Sequence, residues 1–271
     1  MSIDSISGLS SSMTFCEMMK ARADLEKSLE RLATGRRINR ASDDPTGLAM
    51  ATRLESQARS LAVGEQAAQM GVSMIQTAEG SLQGVTQDLQ RIRELALQAA
   101  NGTLNHADRA TIQIEITGLV ENIASTLRSA EFNSKPVFTG RVERLQIGPG
   151  SSGTVSVDLP ELTSGNLGLA SIDVGTQEGA ENAISAASDA LDKVLGVRAN
   201  LGATQNRLES AVGSLSQTRT NTMGSLSAIR DMNMAEGIMN SLRAMNSLES
   251  QLLVLGQMKK IAGSVMSLLS K

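Results

Sequence analysis

The sequence predicts a mainly α fold: a long antiparallel helical bundle with a terminal coiled coil and one small β-hairpin. Three observations carry this. Apolar residues recur at steps of three and four over stretches far longer than a globular helix. No proline falls between Pro45 and Pro136. The 271 residues include 3 Phe, no Tyr and no Trp, so the large side chains that usually fill a deep core are nearly missing. Leu, Ile, Val, Ala and 14 Met must do the packing, which suits long helices sharing narrow apolar seams.

The first helical stripe holds Ile6, Leu9, Met13, Cys16 and Met19, then Leu25, Leu29 and Leu32. Its first residues are Ser-rich and weakly helical alone. Gly35 suits the helix end. Residues 29–49 then read as a helix stop, a short irregular spoke and a new start, with Asp44 as N-cap and Pro45 at the first helical position. From Leu48 to Ala100 the spacing stays helical, clearest in Val72, Ile75, Leu82, Val85, Leu89, Ile92, Leu95 and Ala99. About 55 residues at ~1.5 Å each give a rod of about 80 Å.

Asn101 and Gly102 break the rod. Asn105 or Asp108 caps a second helix carrying Ile112, Ile116, Leu119, Ile123 and Leu127, folded back antiparallel by the short connection. The texture changes at Phe132, where Pro136, Pro149 and Pro160 gather with Gly140, Gly148, Gly150 and Gly153. Residues 142–147 and 154–159 flank GPGSSG and predict the hairpin. Residues 160–178 read as an irregular return. Helical spacing resumes near Glu181 with Ile184, Leu191, Leu195, Leu208, Val212, Leu215, Leu226 and Ile229. After Asp231 the tail is rich in Met and Leu: Ile238, Leu242, Met245, Leu248, Leu252, Leu255, Met258, Ile261, Val265 and Leu268. So apolar a face needs a partner.

The expected organisation has three parts: a terminal coiled-coil layer from 1–44 plus 230–271, a helical bundle from 45–137 plus 176–229, and a short hairpin region from 138–175. Gly64, Gly71, Gly80, Gly84, Gly213 and Gly224 interrupt helices at ~1 kcal/mol each relative to Ala. They mark either tolerated surface positions or close helix approach, and the sequence leaves both open.

Composition narrows the function. Net charge is −3, with no basic run and no aromatic platform, which argues against nucleic-acid binding. No segment reaches the ~20 apolar residues of a membrane span, so membrane insertion is not expected. The N-terminus has neither a basic n-region nor an apolar h-region. The protein is then cytoplasmic, or leaves the cell by a route that reads no such signal. Cys16 is the single cysteine; it has no intramolecular partner and is expected as a small buried hydrophobe.

No catalytic constellation, metal set or cofactor motif emerges. One His and one Cys rule out a His/Cys zinc site. There is no H-E-x-x-H, no G-x-S-x-G and no phosphate loop. Asp43 and Asp44 are read as capping residues over a paired-carboxylate site. Arg36, Arg37 and Arg40 either bind an anion or pair with acidic groups on the joint or a neighbouring copy, the second being preferred. His106 sits in a polar turn. Both ends of the chain offer amphipathic helices that pack poorly alone, so assembly with further copies is the leading reading.

The motifs resemble bacterial flagellin along nearly the whole chain. Leu29-Glu30-Arg31-Leu32, Thr34-Gly35, Arg37-Ile38-Asn39, Asp43-Asp44, Gly47 and Ala49 are similar to E-R-L-S-S-G-x-R-I-N-x-A-x-D-D-x-A-G. Ala78-Glu79-Gly80, the run from Leu89 to Gln98, Ile112 to Ile116 and Glu131-Phe132-Asn133 follow in family order. Arg198 to Arg207 resembles R-A-D-L-G-A-x-Q-N-R, and Val265 to Leu269 resembles V-L-S-L-L. The tail departs from the family pattern at Lys259-Lys260 and lacks the Pro many members carry before the final motif.

The resemblance implies a non-enzymatic subunit that polymerises into the flagellar filament for motility. It implies terminal helices pairing as a coiled coil, here through Ile6, Leu9, Met13, Leu242, Met245, Leu252, Leu255 and Leu268. It places the subunit interface and joint at Arg31, Arg36, Arg37, Asn39, Arg40, Asp43 and Asp44. It implies type III export, and partners that include an export chaperone, a cap and hook-junction proteins. It implies recognition by the vertebrate Toll-like flagellin receptor through Arg91, Leu95 and Glu115. The expected location is the extracellular filament, with a periplasmic flagellum as the alternative. Rival readings are a flagellin-like hook–filament junction protein and a soluble coiled-coil binding module.

Overall fold

The computed structural model describes the main chain over residues 3–148 and 153–269, and side chains over 15–148, 153–258, 260–261 and 263–264. Among the described residues five helices dominate: α1 (Ile3–Thr34), α2 (Pro45–Ala99), α3 (His106–Ser129), α4 (Gln177–Arg230) and α5 (Met234–Leu269). Four short strands of the described residues lie between α3 and α4: β1 (Glu131–Phe132), β2 (Lys135–Pro136), β3 (Arg141–Gln146) and β4 (Thr154–Leu159). The mainly α expectation holds. The chain divides into two compact units, one of residues 1–56 with 221–271 and one of residues 57–220.

The 57–220 unit holds a continuous apolar core. It is built from the α2 stripe Val72, Ile75, Leu82, Val85, Leu89 and Ile92, from Ile112, Ile116, Ile123 and Leu127 of α3, and from α4. The α4 face is small at one end (Ala180, Ala183, Ala187, Ala190) and larger further on (Val194, Leu201, Leu208). Small side chains let helix axes approach closely. Asn105 is the N-cap of α3 and Asp108 its third residue; each side chain accepts the other's amide, forming a capping box. Both candidate capping residues therefore act together. Arg91–Glu115 (2.8 Å) and Asn122–Asp88 (2.8 Å) then join α2 and α3 in antiparallel register.

Two hairpins form where one was expected. The first, β1–β2, turns on Asn133 and Ser134, both in the left-handed region (φ 52° and 60°), as a two-residue mirror-type turn requires. Strands of two residues show no alternation, so the sequence carried no periodic signal for them. The second hairpin pairs Arg141 with Leu159 through to Gln146 with Thr154. Its first strand is shifted one residue earlier than expected, and it ends at Gln146 because the Ile147 and Gly148 amides both turn onto the Gly153 carbonyl (2.8 and 3.0 Å).

This hairpin seats on α2 at two glycines. A Cβ on Gly64 would strike the Ile147 carbonyl, and one on Gly71 would strike the Leu145 side chain. Nothing lies within 4 Å of a Cβ built on Gly80, Gly84, Gly213 or Gly224. The two readings left open by the sequence thus both occur, at different glycines. The return after β4 is irregular but well anchored: Leu162, Leu167, Leu169 and Val174 are buried. The Gln113 amide donates to the Ile172 carbonyl (3.1 Å) and accepts from the Val174 amide (2.8 Å). Thr176 caps α4, accepting from the Gly179 amide at 3.0 Å, so the helix starts at Gln177 rather than near Glu181.

In the other unit α1 lies against α5. The seam positions are buried Ala21 with half-buried Met18, Leu25, Ser28 and Leu32 on α1, and half-buried Ser241, Ala244, Leu248, Gln251, Leu255 and Met258 on α5. Their alternating steps of three and four are a coiled-coil seam. Cys16 is exposed, against the expectation of burial. It lies off this seam, and a helix pair has no second layer to cover it. The side chains of Ile6, Leu9, Met13 and Leu268 lie outside the described residues.

The glycine contacts give opposite expectations. Gly64→Ala lowers the thermal stability of the 57–220 unit by ~1–3 kcal/mol through forced displacement of the hairpin. Gly80→Ala raises it by ~0.5–1 kcal/mol through helix propensity. Calorimetric or circular-dichroism melting of both variants checks the signs.

Candidate assembly site

The joint starts where α1 ends. Gly35 takes the left-handed conformation (φ 66°) that closes a helix. The spoke then pairs as a strand with the link between α4 and α5. The Arg37 amide donates to the Arg230 carbonyl (2.7 Å), the Met232 amide donates to the Gly35 carbonyl (3.0 Å), and Arg36 bridges Asp231 antiparallel. The Arg37 guanidinium donates to the Ile229 carbonyl at 2.7 Å, a cation at a helix C-terminus. Ile38 is buried and anchors the spoke.

Asp43 gathers the rest. One carboxylate oxygen takes Lys27 (2.7 Å) and Arg31 (3.5 Å) from α1; the other accepts the Asn39 and Arg40 amides (3.2 Å each). The Lys27 hydrogen bond is the largest influence on its acidity. Burial opposes it and the two amides reinforce it, bringing the pKa down from 3.8 to about 2. Asp44 does a different job: its carboxylate accepts the Gly47 amide (2.9 Å) and caps α2. Arg40 pairs with Glu30 (3.1 Å), and Thr34 donates to the Asn39 side-chain oxygen (2.9 Å). Arg230, mostly buried, reaches Glu55 on α2 (3.1 Å).

Apart from Asp44, which caps α2, the joint residues singled out in the sequence thus fall into two groups. Arg31, Asn39, Arg40 and Asp43 share one carboxylate-centred cluster, while Arg36 and Arg37 face residues 229–232. Lys27, Glu30 and Arg230 complete the site and were missed. Lys27 stands one helical turn before Arg31, a spacing that puts both cations on one face and was the available signal. Arg230 carried none, because Glu55 is remote in sequence.

The terminal pair distributes its apolar residues unusually. The seam includes Ala21, Ser28, Ser241, Ala244 and Gln251, which are small or polar. The large residues Leu242, Met245 and Leu252 stand outside it, 49, 59 and 54% exposed, beside Ile238 and Leu253. Leu255 lies on the seam. Phe15, Met19 and Leu29 of α1 are exposed as well.

In the 57–220 unit, Arg91 bonds Glu115 and Glu94 at the surface, and these carboxylates, Glu115 first, favour its charged form. Leu95 is only 2% exposed and belongs to the core, so it does not stand beside Arg91 and Glu115 at the surface. His106 is exposed at the start of α3. Among the described residues, no three His, Cys, Asp or Glu converge as a metal site, and no helix is long and apolar enough to cross a membrane.

Residues 7–143 match the family model of the bacterial flagellin N-terminal helical region, and residues 184–269 match that of the C-terminal helical region. The flagellar filament 30.7 kDa core protein of Treponema maltophilum is 35% identical over 263 residues, covering 91% of this chain and 92% of its own length. The flagellin of Bacillus subtilis strain 168 is 34% identical over 247 residues, covering 78% and 81%. The crystal structure of Bacillus cereus flagellin shares the fold, with a TM-score of 0.51 at 24% identity over 55% of this chain and 88% of that one.

Asp43 sets a pH expectation for the joint. Its folded pKa lies below the unfolded value, so its contribution is full above about 3.8 and is lost as pH falls through about 2. Hydrogen exchange at the Asn39 and Arg40 amides should therefore accelerate across that window. Asp43→Asn should exchange faster at neutral pH and show no further step there.

Proposed function

Because the chain belongs to the bacterial flagellin family, we infer that its joint and the outward face of its α1–α5 pair are where copies meet in the filament. The protein is a structural subunit of the flagellar filament. The observation that carries the interface is the divided apolar distribution of the terminal pair. Leu242, Met245 and Leu252 are about half exposed, while the seam, where Leu248 and Leu255 lie, also holds small and polar residues such as Ser241, Ala244 and Gln251. Covering the rest of each such side chain contributes ~1 kcal/mol, repeated in every subunit.

The joint supports the second half of this reading. It ties α1, α2 and α4 by charge-assisted bonds and holds the link to α5 by the Met232 amide on the Gly35 carbonyl, so a shift at one helix end is felt by the others. We assign subunit contacts to its outer residues Arg36 and Arg40. A structural role without catalysis accords with the family. The extracellular filament is the location we assign. Type III export, with chaperone, cap and hook-junction partners, is the delivery route consistent with this assignment. For the vertebrate receptor, the assigned surface is the Arg91–Glu115 pair, with Leu95 supporting it from within.

Replacing Leu242, Met245 and Leu252 together by Ser should abolish polymerisation and leave the melting of the 57–220 unit unchanged. Electron microscopy after seeding reads the first result and calorimetry the second. Filaments of normal length would overturn the assigned face.

A further inference from the structure

We propose that the turn between α2 and α3 is a self-modifying site, at which Asn101 cyclises onto the Gly102 amide and reopens as aspartate or isoaspartate. Asn101 is the one Asn followed by Gly in the sequence. Asn101, Gly102 and Thr103 are all exposed to water. The nearest atom to a Cβ built on Gly102 is Gln177 Oε1 at 3.9 Å, so the space beside its Cα is open.

The hydrogen bonds around this turn suit the reaction. The flanking amides are occupied: Asn101 donates to the Gln98 carbonyl, Thr103 to Asn101 Oδ1 and Leu104 to the Asn101 carbonyl, each at 3.2 Å. Among the described residues the Gly102 amide donates to none. It is the nitrogen that must lose its proton to attack. The anion so formed spreads onto the Asn101 carbonyl oxygen, and Arg109 Nη2 donates to that oxygen at 3.2 Å. Arg109 is held there by a second bond, Nε to the Ala99 carbonyl at 2.9 Å. The C-terminal end of α2 disfavours negative charge at this point, which makes the guanidinium the deciding influence. When Gly102 N attacks Asn101 Cγ, charge develops on Oδ1, where the Thr103 amide already donates.

The chemistry needs only water. The Gly102 N–H proton passes to solvent, and a bond forms between Gly102 N and Asn101 Cγ. The Cγ–Nδ2 bond breaks, and the leaving nitrogen takes a proton from solvent to depart as ammonia. Water then opens the succinimide at either carbonyl. One opening gives aspartate; the other routes the main chain through the side-chain carbon as isoaspartate. The isoaspartate product leaves its free carboxylate at the former Asn101 carbonyl, the atom to which Arg109 donates. Asn122, Asn200, Asn206 and Asn221 lie inside helices, where the following amide is committed to the helical ladder.

The test follows ammonia release and isoaspartate at residue 101 in the full chain at neutral pH. Isoaspartate is read by carboxyl methylation with an isoaspartyl methyltransferase and by peptide mapping. Gly102→Ala should reduce the reaction at residue 101 to that of the helical Asn residues. Arg109→Gln should slow it by roughly three- to tenfold, less than a buried oxyanion donor because the turn is solvated, with Arg109→Lys between. A purely structural Arg109 predicts the opposite sign, since a loosened turn cyclises faster; an equal or faster Arg109→Gln variant overturns the proposal. If that variant unfolds, the wild-type chain is compared in buffer and in urea. Faster reaction in the folded state supports the proposal, and equal or slower reaction overturns it.

Discussion

Helix ends leave polar main-chain groups without partners, and four such ends meet in the unit formed by 1–56 and 221–271. The joint is the solution. The spoke satisfies the exit of α1 and the exit of α4 at once, by pairing Gly35 and Arg37 with Met232 and Arg230. Asp44 caps α2, and Asn233 caps α5 by accepting the Ala235 amide at 3.1 Å. Asp43 then fills the space between with a carboxylate that accepts from both side chains and main chain. Its lowered pKa follows from the Lys27 ammonium first and then from the Asn39 and Arg40 amides. The arrangement fixes where every long helix of this unit begins or ends.

Much of this was legible in the sequence because helices advertise themselves. The α2 stripe from Val72 to Leu95, the Asp44-Pro45 start and the Asn105–Asp108 box are local patterns, and local patterns survive folding. The β3–β4 hairpin was legible because glycine and proline bracket alternating residues. The β1–β2 hairpin was not, since its signal is a pair of positive φ angles at Asn133 and Ser134, neither of them glycine. The joint was legible as a site but not as a mechanism. Its composition flagged Arg36, Arg37, Asp43 and Asp44, yet the partners Ile229, Arg230 and Met232 stand at the other end of the chain.

The terminal pair shows the limit of reading a stripe. Ile238, Leu242, Met245, Leu248, Leu252 and Leu255 recur at helical spacing and look like one face. The structure divides them, with Leu248 and Leu255 turned to α1 and the others outward. A helix apolar over so wide an arc serves two neighbours, and periodicity alone does not say which residue serves which. The small seam residues Ala244 and Ser241 carried the information, since they fit only where another helix lies close.

The pairing of Arg37 with Ile229 and Arg230 has a temporal side. The two residues joined by the guanidinium bond are 192 positions apart. Loop closure over such a span comes late and slowly. A chain delivered from its N-terminus therefore has all the partners of Asp43 at once, but holds Gly35 and Arg37 in waiting until residues 229–232 have arrived. The strand bridge acts as a check on completeness: a chain cut short before residue 229 has every residue of the spoke and lacks the main-chain partners of Gly35 and Arg37.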